Sequence, residues 1–225
     1  MKVKNRLGIE FELMQDKIDI LRLQIQGQLH LPDDSGYDIS RTVWNSMIDR
    51  RPSIIVRCLG VSDVIKSIKF AKENDLLICI KGGGHNIAGF ATADGALMLD
   101  MSLMRGVWVN EDTKTAQAQA GCLLSDVDRE SQLYGLATVL GFVSQTGIAG
   151  LTLGGGFGYL TRRWGWTADN VVSMNLVTAD GGLVKASNNE NSDLFWGLRG
   201  GGGNFGVVTN IEYNLYTVGP EIVGG

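Results

Sequence analysis

The chain has 225 residues and a formal net charge of −4, and 44% of its residues are hydrophobic. This length and apolar content suffice for one large domain or two closely associated lobes. The negative charge and the lack of a basic stripe interleaved with aromatic residues exclude a general nucleic-acid binder, and no apolar run approaches the ~18 residues of a membrane span.

Two further composition features limit the functional classes. Acidic residues interrupt any hydrophobic run near the N-terminus, which argues against a signal peptide and predicts a cytoplasmic location. The three cysteines, Cys58, Cys79 and Cys122, are odd in number and widely spaced, so the sequence predicts ordinary buried thiols and no metal site.

The first predicted elements form a helical segment followed by a β-α-β unit. Residues 9–29 have helical spacing of Ile, Leu and Phe and end before a turn at 31–36. Strands are predicted at 54–57 and 76–80, and the amphipathic segment between them is predicted as a helix with Ser62 as its N-cap.

Beyond residue 96 the sequence predicts further strands and a second helix. A helix is expected over 123–133, with Ser125 or Asp126 near its start. The further strand candidates are 97–100, 107–110, 115–120 and 207–213. Two aromatic residues in this part of the chain, Trp196 and Phe205, are expected in the core.

The most informative motif is the loop that follows the strand at 76–80. Three glycines there, Gly82 to Gly84, precede His85 and Asn86. Glycines after a buried strand allow successive backbone N–H groups to face one concavity, which suits a diphosphate. Taken alone, the same motif also fits a plain tight turn followed by a hydrogen-bonded histidine.

Glycine is concentrated elsewhere as well. It accounts for 31 residues, about twice the usual share. The segment 147–158 alternates small residues with Ile, Leu and Phe, which predicts a large flat ligand against bare backbone. The segment 201–206 matches G-x-G-x-x-G, but it opens a strand rather than a helix, and no glycine cluster continues into Lys-Ser or Lys-Thr. Rossmann and Walker sites are therefore rejected.

Four motifs in order carry a family resemblance: residues 53–60, 81–86, 147–158 and 195–206. On the basis of these motifs, the chain resembles the FAD-binding domain of the vanillyl-alcohol-oxidase superfamily, in its berberine-bridge-enzyme-like branch. The resemblance implies an α+β fold, a two-lobed FAD-binding domain of the PCMH type with FAD stretched between the lobes.

The resemblance also implies the domain boundaries. Residues 1–36 would form an N-terminal segment, 37–110 the first lobe and 111–217 the second. Residues 218–225 would be the truncated start of a substrate domain that full-length relatives carry, and the exposed face left by its absence would favour self-association.

FAD is the cofactor that the resemblance implies. The diphosphate would lie on the loop at 82–86 and the flavin ring near 141–158, with His85 joined covalently to the benzenoid-ring methyl. Bicovalent members use a cysteine where this chain has Ser144, so a single attachment is predicted. Thr146 and Thr152 are candidate donors to flavin oxygens. The predicted cofactor contacts are Lys81, Gly82, Gly83, Gly84, His85, Asn86, Gly89, Gly141, Ser144, Thr146, Gly147, Gly150, Leu151, Thr152, Gly154, Gly155, Gly156, Gly158, Gly206, Val207 and Val208.

The implied activity is hydride transfer to FAD from an alcohol, sugar or other C–H donor, with a small molecule as substrate. No general base is nominated. One alternative is a non-catalytic flavin-binding fragment or interaction module that needs a partner chain, which partner-dependent turnover would reveal. Another is a reductase with noncovalent FAD, which requires that His85 is unreacted.

Overall fold

The protein consists of two compact units. The computed structural model describes residues 1–219. The first unit comprises Met1–Met104 and Val177–Val184, and the second comprises Arg105–Leu176 and the residues from Lys185 onward. The first unit thus includes the N-terminal segment and a short stretch near residue 180 that the sequence prediction placed outside it. Of the predicted start of a further domain at 218–225, residues 220–225 lie outside the described residues.

The first unit is built on a four-stranded sheet. In chain order the elements are β1 (Lys2–Lys4), β2 (Glu10–Glu12), α1 (Gln15–Gln24), β3 (Gln28–His30), α2 (Tyr37–Arg41), β4 (Ile54–Arg57), α3 (Val61–Glu73), β5 (Ile78–Lys81) and β6 (Leu97–Asp100). The order of the sheet is β3-β4-β6-β5, with β4 and β5 both parallel to β6 and β3 antiparallel to β4. Strands β1 and β2 form a separate antiparallel pair.

The core of the first unit lies around its two central strands. Ile54, Ile55 and Val56 of β4 are fully buried, and all four residues of β6 are buried. Such continuous apolar runs are typical of parallel strands that are covered on both faces. One covering element is α3, which buries Val64, Ile68 and Ala71 on one side of the helix. The predicted β-α-β unit is confirmed.

Two local predictions for the first unit are wrong. The region 9–29 is not one helix, because Glu10–Glu12 and Gln28–His30 pair with other strands and leave only Gln15–Gln24 helical. Ser62 is not the N-cap of α3. The helix begins at Val61, preceded by Gly60, and no side chain caps it.

The start of α3 is instead held by Asp63, which is almost fully buried. Its carboxylate accepts backbone N–H groups from Gln26 at 2.9 Å, Gly27 at 3.0 Å and Leu59 at 3.0 Å. We expect Asp63→Ala to lower the free energy of unfolding by about 3 kcal/mol, because three donors lose their acceptor. Urea denaturation measures this change. Ser62→Ala is the control and should change stability by less than about 0.5 kcal/mol; an equal loss in both variants would contradict the assignment.

The remaining elements are β7 (Val107–Asn110), β8 (Thr115–Gln119), α4 (Leu124–Ser131), β9 (Leu136–Ala137), α5 (Ile148–Leu153), α6 (Thr161–Trp164), β10 (Val171–Val177), β11 (Leu183–Ser187), α7 (Ser192–Leu198), β12 (Val207–Asn214) and β13 (Tyr216–Thr217). Most of the residues of a five-stranded sheet belong to the second unit. Its order is β11-β10-β12-β8-β7, and β12 and β7 are both antiparallel to β8. Strands β9 and β13 form a separate antiparallel pair.

Strand β8 shows how this sheet is oriented. Ala116 and Ala118 are fully buried, whereas Gln117 between them is exposed. This alternation gives the sheet one apolar and one polar face. The predicted helix over 123–133 is observed as α4, and the Asp126 carboxylate accepts the Leu123 N–H at 2.8 Å, as a residue near the helix start can. Within residues 1–219, none of the helices combines the length and apolar character needed to cross a membrane.

Candidate functional site

The loop that follows β5 presents unpaired backbone donors. From Gly82 to Asn86, none of the backbone N–H groups donates a hydrogen bond to another residue within the described part of the chain. Gly84 has φ of +72°, a conformation that glycine adopts without strain. A run of free N–H groups in a glycine-rich turn favours binding of an anionic group such as a phosphate.

Lys81, at the end of β5, anchors this loop. The side chain is buried, and its ammonium donates to the carbonyl oxygens of Ser40 and of Thr42, the latter at 3.3 Å. It also lies 3.8 Å from the Asp100 carboxylate. Burial lowers the pKa of Lys81, and Asp100 opposes that shift. The charge therefore has partners inside the unit, so Lys81 supports the loop rather than offering a free cation.

His85 lies at the tip of the loop and is partly buried. Its imidazole stacks on the indole of Trp44, with ring centroids 5.4 Å apart and an interplanar angle of 20°. Asn86 is exposed, and its side-chain oxygen accepts the N–H of Phe90 at 3.0 Å. Gly89 has φ of +77° and a Cβ there would lie 2.7 Å from Ile48, so packing alone accounts for this glycine.

Six of the predicted contact glycines between residues 141 and 158 fall into two groups. At three positions an added Cβ would meet close neighbours: it would lie 3.2 Å from Leu124 at Gly141, 2.5 Å from Thr167 at Gly156 and 1.7 Å from the Leu140 carbonyl oxygen at Gly158. At the other positions the space beside the backbone is open or nearly so. These positions are Gly150, Gly154 and Gly155. The open group is the one that suits a flat ligand against bare backbone.

The segment before α5 is held by backbone hydrogen bonds to the first residues of α4. The carbonyl oxygen of Ser144 accepts the N–H of Ser125 at 3.1 Å, and that of Thr146 accepts the N–H of Leu124 at 2.9 Å. Ser144 is exposed and Thr146 is partly buried. Gly147 immediately precedes the helix. The predicted contact residues here thus lie on one ordered loop.

Thr152 is not available as a donor to a ligand, so this prediction is wrong. It is fully buried, and its hydroxyl donates to the Ile148 carbonyl oxygen at 2.7 Å and lies 2.7 Å from the Tyr213 hydroxyl. Leu151, its neighbour on α5, is partly buried. Burial also raises the pKa of Tyr213.

The last glycine cluster opens β12. Gly206 has φ of +148°, and Val207 and Val208 are buried in the sheet. The expectation that Trp196 and Phe205 lie in the core is wrong. Trp196 is 77% exposed on α7, and Phe205, at 40% exposed, covers Gly197 from outside.

Two features were missed by the sequence analysis. One is the contact between Trp44 and His85. The other is a cluster of exposed aromatic rings in edge-to-face contact, in which Phe142 lies 5.4 Å from Phe157 and 4.7 Å from Tyr159, and Phe157 lies 5.9 Å from Trp166. The aromatic residues next to glycines in 157–166 were the available signal for the second feature.

Comparisons with known proteins identify the family of the chain. A family model described as FAD binding domain matches residues 52–187. The chain is 41% identical over 203 residues to (R)-6-hydroxynicotine oxidase of Paenarthrobacter nicotinovorans, covering 90% of this chain and 44% of that protein.

Two solved structures show the same fold. The Physcomitrella patens BBE-like 1 protein has a TM-score of 0.83 at 29% identity, covering 89% of this chain and 44% of that one. Glucooligosaccharide oxidase from Acremonium strictum, described with a 6-S-cysteinyl, 8α-N1-histidyl FAD, has a TM-score of 0.83 at 32% identity, covering 89% and 42%. The chain spans less than half the length of these relatives. It belongs to the FAD binding domain family, with FAD-linked oxidoreductases and BBE-like oxidases as its relatives.

Proposed function

We propose that the chain is the flavin-binding part of an FAD-dependent oxidoreductase whose FAD is attached covalently to His85. The observation that carries this proposal is the run of unpaired N–H groups from Gly82 to Asn86, next to an imidazole whose ring nitrogens have no protein partner among residues 1–219. The residues present therefore fit FAD, because they combine a diphosphate cradle with a nucleophile in one loop.

The residues of the chain would bind and orient the FAD, and the FAD would supply the redox chemistry. The loop N–H groups would bind the diphosphate, and the open backbone at Gly150, Gly154 and Gly155 would let a flat ring approach closely. Bound FAD would supply the acceptor for a hydride from an alcohol, sugar or other C–H donor. An alkyl-imidazole link would withdraw electrons from the ring and so favour oxidation of poor hydride donors.

A single attachment is proposed on chemical grounds. The relative from Acremonium strictum is described with both a cysteinyl and a histidyl link. The family resemblance implies that Ser144 occupies the position of that cysteine, and a serine hydroxyl is a far weaker nucleophile than a thiolate. The three cysteines that the chain does have are buried. His85 is therefore the proposed site of all covalent flavin.

Acid precipitation tests this proposal. We expect the washed pellet of the FAD-loaded chain to be yellow, and we expect His85→Ala to lose all of that colour while folding normally. His30→Ala, which changes the only other histidine, is the matched control and should keep the colour. A colourless pellet with a yellow supernatant would disprove the covalent link but keep FAD binding. If neither fraction is coloured, the cofactor assignment itself is overturned.

A further inference from the structure

One short segment contacts the His85 loop at three points. The Trp44 backbone N–H donates to the Gly84 carbonyl oxygen at 3.0 Å, and the Asn45 side-chain amide donates to the Ile87 carbonyl oxygen at 3.0 Å. The third contact is the Trp44 indole on the His85 imidazole. The first two contacts fix the backbone on both sides of His85, and the third acts on the side chain itself.

The stack is what orients the imidazole. Neither ring nitrogen of His85 has a hydrogen-bond partner among residues 1–219, so no polar contact in this part of the chain selects its side-chain torsions. An indole at 5.4 Å with a 20° interplanar angle contacts one face of the ring. In a neutral imidazole the lone pair of the unprotonated nitrogen lies in the plane of the ring, so a contact on the face holds the ring and leaves that nitrogen free to react.

We propose that Trp44 is a positioning residue for attachment of the flavin to His85; this inference rests on the proposed function. In the attachment, a C–N bond forms between an imidazole nitrogen and the carbon of the benzenoid-ring methyl, and one C–H bond of that methyl breaks. The hydrogens displaced from carbon and nitrogen pass, with the electron pair, to dioxygen, which becomes hydrogen peroxide. Trp44 takes no part in these bonds and raises the rate by holding the attacking ring.

The test compares attachment rates in the full-length chain. Apo protein is mixed with FAD, and acid-stable flavin is followed with time. We expect Trp44→Leu to slow attachment about 5- to 10-fold, because it removes one aromatic stack. Trp44→Phe, which keeps a stacking ring, should restore the rate to within about twofold. Trp108→Leu removes a tryptophan of similar exposure in the second unit and is the control.

A second readout separates positioning from a structural role. In a His85→Ala background, noncovalent FAD affinity should be the same with Trp44 or Leu at position 44, and the urea midpoint should change little because Trp44 is 63% exposed. Attachment by Trp44→Leu at the wild-type rate, or an equal fall in noncovalent affinity, would overturn the positioning role. A wild-type chain that forms no acid-stable flavin would overturn the proposed attachment and the positioning role together.

Discussion

Gly158→Ala is expected to lower the free energy of unfolding of the chain by about 3 kcal/mol or more. A Cβ at this position would lie 1.7 Å from the Leu140 carbonyl oxygen and 3.3 Å from the Gly141 Cα. Both are backbone atoms, which cannot rotate away as the end of a flexible side chain can. The segment must therefore shift, and such a shift strains the hydrogen bond from the Gly158 N–H to the Thr161 hydroxyl. Urea denaturation of the apo chain measures the effect.

Gly150→Ala is the matched control for that experiment. Gly150 is an exposed position within α5, and an added Cβ there meets no atom within 4 Å. Alanine favours a helix over glycine by up to about 1 kcal/mol, so the variant should be as stable as the wild type or more stable. Loss of FAD uptake in this stable variant would locate a flat ligand beside α5. Equal destabilisation by the two substitutions would contradict the division of the glycines into open and packed positions.

Alkaline pH is expected to destabilise the fold steeply, starting near pH 9. All three cysteines are free and buried, as the sequence predicted. Burial raises the pKa of Cys79 and of Cys122 to about 12, and it also raises the pKa of Cys58. Because the folded pKa lies above the unfolded value of 9.0, the stabilising contribution of each thiol is complete below pH 9 and is lost as pH rises toward the folded pKa.

Each thiol should lower the free energy of unfolding by about 1.4 kcal/mol between pH 8 and 10, which amounts to about 4 kcal/mol for the three together over this range. Lys81 opposes this slope, because its lowered pKa lets the folded lysine lose its proton while the unfolded lysine still keeps it, so that stability rises with pH in that range; it is one group against three. Urea denaturation at several pH values between 8 and 10, about one unit either side of the transition, measures the slope. The triple variant Cys58→Ala, Cys79→Ala, Cys122→Ala should show a much flatter dependence. An unchanged slope would show that other groups control alkaline unfolding.

The parts of the fold that the sequence predicted best are the short apolar strands. Ile54–Arg57 and Leu97–Asp100 have the predicted bounds because each run is buried on both faces, so its own composition determines its place. The N-terminal segment was predicted poorly for the opposite reason. Glu10–Glu12 and Gln28–His30 become strands only because other strands pair with them. The spacing of apolar residues within a segment does not reveal such pairing partners.

The candidate site shows the same contrast between features set by the local sequence and features set by distant contacts. The loop at 82–86 was predictable because glycines directly follow a buried strand. The hydrogen bonds from the Lys81 ammonium to the carbonyl oxygens of Ser40 and Thr42 were not predictable, since these acceptors lie about forty residues earlier in the chain. The burial of the Thr152 hydroxyl depends on Tyr213, which is 61 residues away. Contacts of this kind arise only when distant segments are packed together.

The anchoring of Lys81 has a consequence for how the loop would hold a diphosphate. With that ammonium bound to carbonyl oxygens and near Asp100, the loop would attract an anion through the dipoles of peptide N–H groups rather than through a free basic side chain. Peptide groups do not titrate, and they do not carry the mobile counterions that surround exposed lysines and arginines. We therefore expect the loop's share of the diphosphate affinity to depend less on ionic strength and on lysine protonation than binding by exposed basic side chains would.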